Sequence, residues 1–365
     1  MQPDLSKGAH LSRRGLIAGT GAFAAWASIP RFAKASGRDP RLVVIVLRGG
    51  LDGLAAVAPL GDPGYSALRG PFTPIFDSES SAFPLGSFFA LHPAMQVFAR
   101  LYRQGQAAVI HAVATPYRER SHIGGLEVLE SGEPRPGSTT SGWLNRALTA
   151  LPSGSRVAFH GGIAMGAATP LILRGSAPVL GWSLQAPPPS AISVPLRMRQ
   201  TAQRIAELIA ADDGPRIAAL VLEGWDTHSR QGGAAGRLAR LLGGLDAVFE
   251  EFEMRLKTAW ADTAIVAITE FGRTVRTNAS GGTDHGSGGA AFLAGGAIKG
   301  RRVIADWPGL APKRLYEGRD LLPTADLRAV LGGILKDHLG LSEKVIRASV
   351  FPESGHIRPA AGLIA

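Results

Sequence analysis

Cysteine is absent from this 365-residue chain. That excludes disulfides, zinc–thiolate sites and cysteine nucleophiles. No repeat recurs along the chain, and no apolar run reaches the ~20 residues that a membrane-spanning helix needs. Aromatic residues are 7% of the total and charged residues only 19%. Lys and Arg nevertheless outnumber Asp and Glu by 39 to 29, a formal charge of +10. Five of the basic residues and one acidic residue fall in the first 35 positions, leaving 34 against 28 beyond them, a formal +6. This charge is scattered rather than run together, which favours anionic ligands but argues against a dedicated nucleic-acid binder. What the chain does have is apolar residues, 45% of the total, together with 47 Gly and 25 Pro. A sizeable core with many turns follows, and global disorder is excluded.

The N-terminus reads as an address. Arg13-Arg14 follows Ser12, a moderately apolar Gly/Ala-rich run extends from Gly15 to Ile29, and Ala33-Lys34-Ala35 offers small residues at the positions a signal peptidase reads. Residues 1–35 are therefore expected to be a twin-arginine signal peptide, handled by the twin-arginine translocase and delivering the protein to the periplasm. An ordinary N-terminal anchor helix is the alternative. Residues 1–40 are expected to stand outside the globular fold.

The rest alternates between two patterns. Continuous apolar runs, as in buried parallel strands, lie at Leu42–Leu47, Ala107–Val113, Ile217–Leu222, Ala264–Thr269 and Ala290–Ala294. Helical spacing covers about Gly124 to Glu130, Leu196 to Ala211, Ala234 to Trp260 and Thr324 to Leu339. Strands alternating with helices predict an α/β fold, a doubly wound, mostly parallel sheet with flanking helices. One domain over 40–352 is expected, with a long loop at 61–90, an edge insertion at 152–195 around Pro187-Pro188-Pro189, and a C-terminal tail at 353–365.

In open α/β sheets ligands bind beyond the carboxyl ends of the strands. Acids and histidines collect there. Asp52 follows the first strand across two glycines, Ser121-His122 follow the second, Asp226 and His228 follow Ile217–Leu222, Glu270 and Arg273 follow Ala264–Thr269, and Asp284-His285 sit in a Gly-rich turn before the next strand. Each has an ordinary alternative. Asp52 suits a turn, Ser121 a helix N-cap, His122 a hydrogen-bonded structural role, Asp226 a cap for the following segment, and Glu270 a partner for Arg273 one helical turn on. His92, His111, His160, His338 and His356 lack acidic company of this kind and are expected in core or surface roles. Carboxylates and imidazoles gathered on one rim suit a divalent cation, Zn²⁺, Mn²⁺ or Mg²⁺. Beside a serine at a helix start, such an ion lowers the hydroxyl's pKa while helix N–H groups and Arg273 or Arg120 hold an anion.

The segments LRGGLDGL (47–54), RSHIGGLEVLESG (120–132), GWLNRAL (142–148), GWDTH (224–228), TEFGRTVRTN (269–278), GGTDHGSGG (281–289) and RDLLPTADLRAVL (319–331) resemble one bacterial family. It is the exported family called domain of unknown function 1501, within the alkaline phosphatase and sulfatase superfamily. The resemblance implies a metal-dependent hydrolase of phosphate or related anionic esters, small or polymeric, using one or two ions. It implies Asp52, Asp226, His228, Glu270, Asp284 and His285 as metal ligands. Ser121 becomes the nucleophile, with His122 as the alternative residue pointing inward, and Arg273 the anion clamp. The chain departs from the superfamily pattern at two places. Asp226 and His228 are one residue apart rather than three, and Phe271 stands where a histidine usually follows Glu270. No cysteine or Ser-x-Pro-x-Arg signature is present for formylglycine maturation. These departures keep open a second reading, a catalytically degenerate member that binds or assembles with another exported protein.

Overall fold

The computed structural model describes residues 24–27, 38–70, 72, 82–137, 139–151, 162–164, 169–181, 193–212 and 214–365. Eight strands form the central sheet: β1 (Ala24–Ala27), β2 (Arg41–Arg48), β3 (Ala107–Ala114), β4 (Ile217–Glu223), β5 (Thr263–Ile268), β6 (Gly289–Ala294), β7 (Arg302–Ile304) and β8 (Ala325–Asp326). Their order is β1-β4-β2-β5-β6-β3-β7, with β8 also paired to β3. β2 runs parallel to β4 and β5, and β3 parallel to β7 and β8. β6 is antiparallel to both β5 and β3, and β1 is antiparallel to β4. Six strands thus point one way and two are reversed, which is the mixed, mostly parallel sheet expected.

The apolar runs became strands because both of their faces are covered. Val43, Ile45 and Leu47 pack on one side under α1 (Gln96–Arg103), α4 (Val194–Ala210) and α5 (Arg237–Leu256). Leu42, Val44 and Val46 pack on the other under α2 (His122–Ser131), α3 (Trp143–Ala150) and α6 (Leu327–Asp337). Neither α1 nor α3 is evident from spacing, since each is only eight residues long. α5 starts at Arg237 rather than Ala234 because Gly236 sits at φ 125°, outside helical space. α6 starts three residues later than expected. Ala325 and Asp326 pair with β3 first, and the Asp326 carboxylate then caps the Arg328 N–H at 2.8 Å.

Three other expectations are corrected by packing. The segment 61–90 is not simply a loop: its described part holds a helix at Tyr65–Arg69 and strands Phe83–Leu85 and Phe89–Leu91, the latter paired to Val57–Ala58. The tail folds back, with Leu363 buried, Lys299 N–H bonded to the Leu363 carbonyl and Ala360 N–H to that of Ala329. At the other end, β1 lies inside the apolar run read as the signal, and its backbone satisfies the open edge of β4. Arg13-Arg14, Ala33-Lys34-Ala35, His160 and Pro187-Pro188-Pro189 lie outside the described residues. The described part of 152–195 includes a short parallel pair, Gly162–Ala164 with Val179–Gly181.

Two core histidines predict an acid-sensitive fold. The His111 Nε2–H donates to the Val57 carbonyl at 2.9 Å while its Nδ1 accepts from Ala112 N–H at 2.8 Å, so the ring is held neutral. His338 Nε2–H donates to the Arg41 carbonyl at 2.9 Å and its buried Nδ1 has no partner. Burial pushes both down to about 4. A histidine depressed in the folded state contributes stability that is complete above its unfolded pKa near 6.5 and is lost as pH falls through 4. Between pH 7 and 4.5 each ring should cost about 2–3 kcal/mol. His111→Gln, which keeps a donor for Val57, should lose that much less on acidification than the parent in urea titrations at the two pH values. An unchanged difference would show that His111 does not titrate in this window.

Candidate metal centre

The rim formed by the carboxyl ends of β2, β3, β4 and β5 also receives the residues just before β6, because β6 runs backwards. Four loops meet there at very short range. Gly49, at φ 125°, lies so close to the β4 loop that a Cβ would sit 2.3 Å from the Asp226 nitrogen. Gly286 is equally confined, since its Cβ would lie 2.4 Å from the Arg273 carbonyl carbon.

Three imidazoles converge on one carboxylate. His122, the first residue of α2, has its Nε2 3.6 Å from Asp226 Oδ2. The Nε2 atoms of His228 and His285 lie 3.1 and 3.4 Å from Asp226 Oδ1, and 2.9 Å from each other. The ligating atoms of His122, Asp226 and His285 all fall within 4.8 Å of one another. Phe271 walls the cluster, its ring 5.0 Å from that of His122 and 4.9 Å from that of His285. Asp226 and His228 share a side, as an extended Asp-x-His segment requires.

Each ring is held from behind through Nδ1. His122 Nδ1–H donates to Glu270 Oε1 at 2.8 Å, His285 Nδ1–H to the Arg120 carbonyl at 2.8 Å, and His228 Nδ1–H to Asp284 Oδ1 at 3.1 Å. Glu270 is fully buried and accepts also from Gly49 N–H at 2.8 Å and Thr269 Oγ1 at 3.0 Å. Asn278 steadies Asp284 at 2.9 Å. The Glu270 hydrogen bond raises the His122 pKa against the opposing effect of burial, whereas burial lowers that of His285. Asp226 feels burial pushing its pKa up, but the hydrogen bond and charge of Arg273 and the nearby imidazoles outweigh it and hold the carboxyl below its ordinary range.

With all three Nδ1 atoms donating, the neutral rings turn three Nε2 lone pairs toward the Asp226 carboxylate. His122 Nε2 is buried without any partner. That arrangement repels itself unless a cation stands in the middle. A tetrahedral ion with N and O ligands at about 2.0–2.2 Å sets its ligand atoms roughly 3.3–3.6 Å apart. The spacings of His122 and His285 from Asp226, 3.6 and 3.4 Å, fit such an ion, whereas His228 stands closer, 3.1 Å from Asp226 and 2.9 Å from His285. The outer partners match the usual backing of metal-bound histidine.

The sequence-level candidates divide accordingly. Asp226, His228 and His285 are brought together, and His122 joins them as a ring facing inward. Glu270 and Asp284 stand behind imidazoles rather than among the converging atoms. Glu270 does not pair with Arg273, because residues 269–273 are not helical. Arg273 is wholly buried: Nε donates to the Gly50 carbonyl at 2.7 Å, Nη1 to that of Thr283 at 3.0 Å, and Nη2 to Gly49, to Trp225 and to Asp226 Oδ1 at 2.5 Å. It orients Asp226 and has no face left for an anion. Asp52 is not in the cluster. Its Oδ2 is bonded to the Arg69 guanidinium and, at 2.7 Å, to Gln231 Nε2, and its Oδ1 caps Ala55 N–H at 3.1 Å. Ser121 is the exposed N-cap residue of α2, but its hydroxyl makes no capping bond. Arg120, expected as an anion clamp, serves instead through its backbone carbonyl. Asn278 and Gln231 carry no local mark, since nothing in the sequence singles out a supporting amide as part of a site.

The model of a family described as "Protein of unknown function (DUF1501)" matches residues 183–350. None of the curated proteins matches the chain. Among solved structures, it is similar to a protein in the alkaline phosphatase superfamily from Vibrio parahaemolyticus, at 12% identity and a TM-score of 0.40, covering 77% of this chain and 64% of that one. The chain thus spans less than two thirds of that relative. It is also similar to the C-terminal periplasmic domain of EcEptC from Escherichia coli, solved with Zn, at 13% identity and a TM-score of 0.35, covering 73% and 76%. Murine ectonucleotide pyrophosphatase/phosphodiesterase 5, solved with AMP, is similar at 12% identity and a TM-score of 0.30, covering 64% and 57%.

Proposed function

We propose, from the match of residues 183–350 to the model of that family of unknown function, that the chain is an exported, metal-dependent hydrolase of phosphate or related anionic esters. One ion, zinc by its nitrogen and carboxylate donors, is held by His122, Asp226 and His285, whose ligating atoms lie within 4.8 Å of one another, with His228 beside them and a fourth position open. The observation that carries this reading is the convergence of three anchored Nε2 lone pairs on Asp226. When bound, the ion polarises an ester oxygen and lowers the pKa of a hydroxyl beside it. A second ion has no place at Asp52, whose oxygens already serve Arg69, Gln231 and the Ala55 N–H.

The chain's own residues supply the rest. Glu270, Asp284 and the Arg120 carbonyl fix ring orientation, and Arg273 keeps Asp226 ionised and aimed. Ser121 precedes His122 with its hydroxyl uncommitted, at the N-terminus of a ten-residue helix whose first amides favour an anion. Ser121 is the nucleophile in this reading. Export rests on the twin-arginine pattern, and no helix among the described residues is long and apolar enough to cross a membrane.

One observation favours the binding-partner reading instead. Both arginines expected to clamp an anion are engaged, Arg273 by carbonyls and Asp226, Arg120 by Glu317 and by Asp320 at 2.7 Å. Ser121→Ala decides between them when assayed on phosphate and sulfate monoesters and diesters with zinc-loaded protein. Turnover lost at least 100-fold with metal content unchanged supports hydrolysis through Ser121. Turnover retained removes that assignment. A parent protein inactive on the whole panel, yet purified with one stoichiometric partner, is the outcome for the rival.

A further inference from the structure

Asp320 is far from the metal-facing atoms in sequence and touches none of them, yet two of its neighbours bond to His285 and a third lies two residues beyond it. It is fully buried. Its Oδ2 accepts from Arg120 Nε at 2.7 Å and from Ser287 Oγ at 3.0 Å, and its Oδ1 lies 3.2 Å from Arg319 Nε. Arg120 carries the carbonyl that accepts from His285 Nδ1 at 2.8 Å, and Arg319 Nη2 donates to the His285 carbonyl at 2.6 Å. Ser287 is two residues beyond His285. The same carboxylate thus ties down the segment before α2, the segment before β6 and its own loop.

Arg120 explains why a tie is needed. Its φ is 59°, a left-handed conformation that is unfavourable for a residue with a Cβ and persists only where surroundings enforce it. Released, the residue would relax to ordinary space and turn its carbonyl away from His285. Glu317 adds an ion pair to the same guanidinium, but from the exposed side.

We propose that Asp320 is a positioning residue for the metal centre, holding Arg120 in its left-handed turn so that the Arg120 carbonyl fixes the tautomer and direction of His285. This rests on the metal site proposed above. Outer partners of metal-bound histidine typically change affinity by 10–100-fold. The test measures zinc affinity by chelator competition, and the visible spectrum of the cobalt-substituted protein, for the parent, Asp320→Asn, Arg120→Met and Glu317→Gln. Expected are a 10–100-fold loss and an altered cobalt spectrum for Asp320→Asn and Arg120→Met, with Glu317→Gln within about twofold of the parent. Arg120→Met retains the carbonyl and loses only the tie, so it carries the test if Asp320→Asn does not fold. Parent-like affinity and spectrum in the folded variants overturn the positioning role alone. A parent that binds neither zinc nor cobalt overturns the metal site itself.

Discussion

His285→Ala is expected to abolish stoichiometric zinc binding. The residue lies at the centre of the cluster, with Nε2 2.9 Å from His228 Nε2 and 3.4 Å from Asp226 Oδ1, and no other described side chain replaces it there. The loss should exceed the 10–100-fold typical of an outer partner, and Glu270→Gln, one step behind His122, should fall within that range. Elemental analysis of protein recovered after native export, followed by chelator competition, gives both numbers. His356→Ala, at an exposed position well outside the cluster in sequence, serves as the control. If His285→Ala retained a full equivalent of zinc with parent-like affinity, the assignment of the converging imidazoles would be wrong.

Breaking the Asp52–Arg69 pair should cost about 3–5 kcal/mol, because removal of one partner leaves the other charge buried and uncompensated. Asp52 is 1% exposed and Arg69 not at all. Arg69 also donates to the Thr274 carbonyl at 3.2 Å, and Gln231, bonded to Asp52, accepts from Thr227 Oγ1 at 2.7 Å and Thr283 Oγ1 at 2.8 Å. This network lies under the two loops that carry His228 and Asp284. Asp52→Ala should therefore lower the urea midpoint strongly, while the protein that remains folded still holds one equivalent of zinc. Asp52→Leu combined with Arg69→Met should recover much of the stability, since replacing both charges removes the desolvation cost. Loss of metal without loss of stability in Asp52→Ala would instead return Asp52 to the ligand set.

The contrast between Asp52 and His122 shows where local reading stops. Asp52 has the position of a ligand, at the end of a buried strand and flanked by glycines. Its partner Arg69 lies 17 residues on, in a stretch whose Pro, Ser and Phe content reads as loop. A buried guanidinium arriving from such a stretch leaves no periodic trace. His122 reads as a neighbour of the serine, and only the rotation of α2 about its axis decides which of the two enters the cluster. Glu270 and Arg273 sit at a helical spacing in a segment that is not helical, so their apparent pairing dissolves once Glu270 reaches back to Gly49 and His122.

The sequence by itself determined the five long buried strands, β2 to β6, and which residues stand at their ends. An apolar run buried on both faces needs no distant information to be recognised, and alternation with helices implies one direction for most of the sheet. The direction of β6 is different. Asp284 and His285 precede that strand, so in a parallel sheet they would lie on the opposite rim from Asp226 and His122. Its antiparallel pairing with β5 and β3 carries them to the same rim. Strand polarity is set by how the chain returns and pairs across 20 or more residues, and the apolar content of Gly289–Ala294 is the same in either direction. Tertiary structure alone therefore assembled the centre from loops whose residues were already visible one by one.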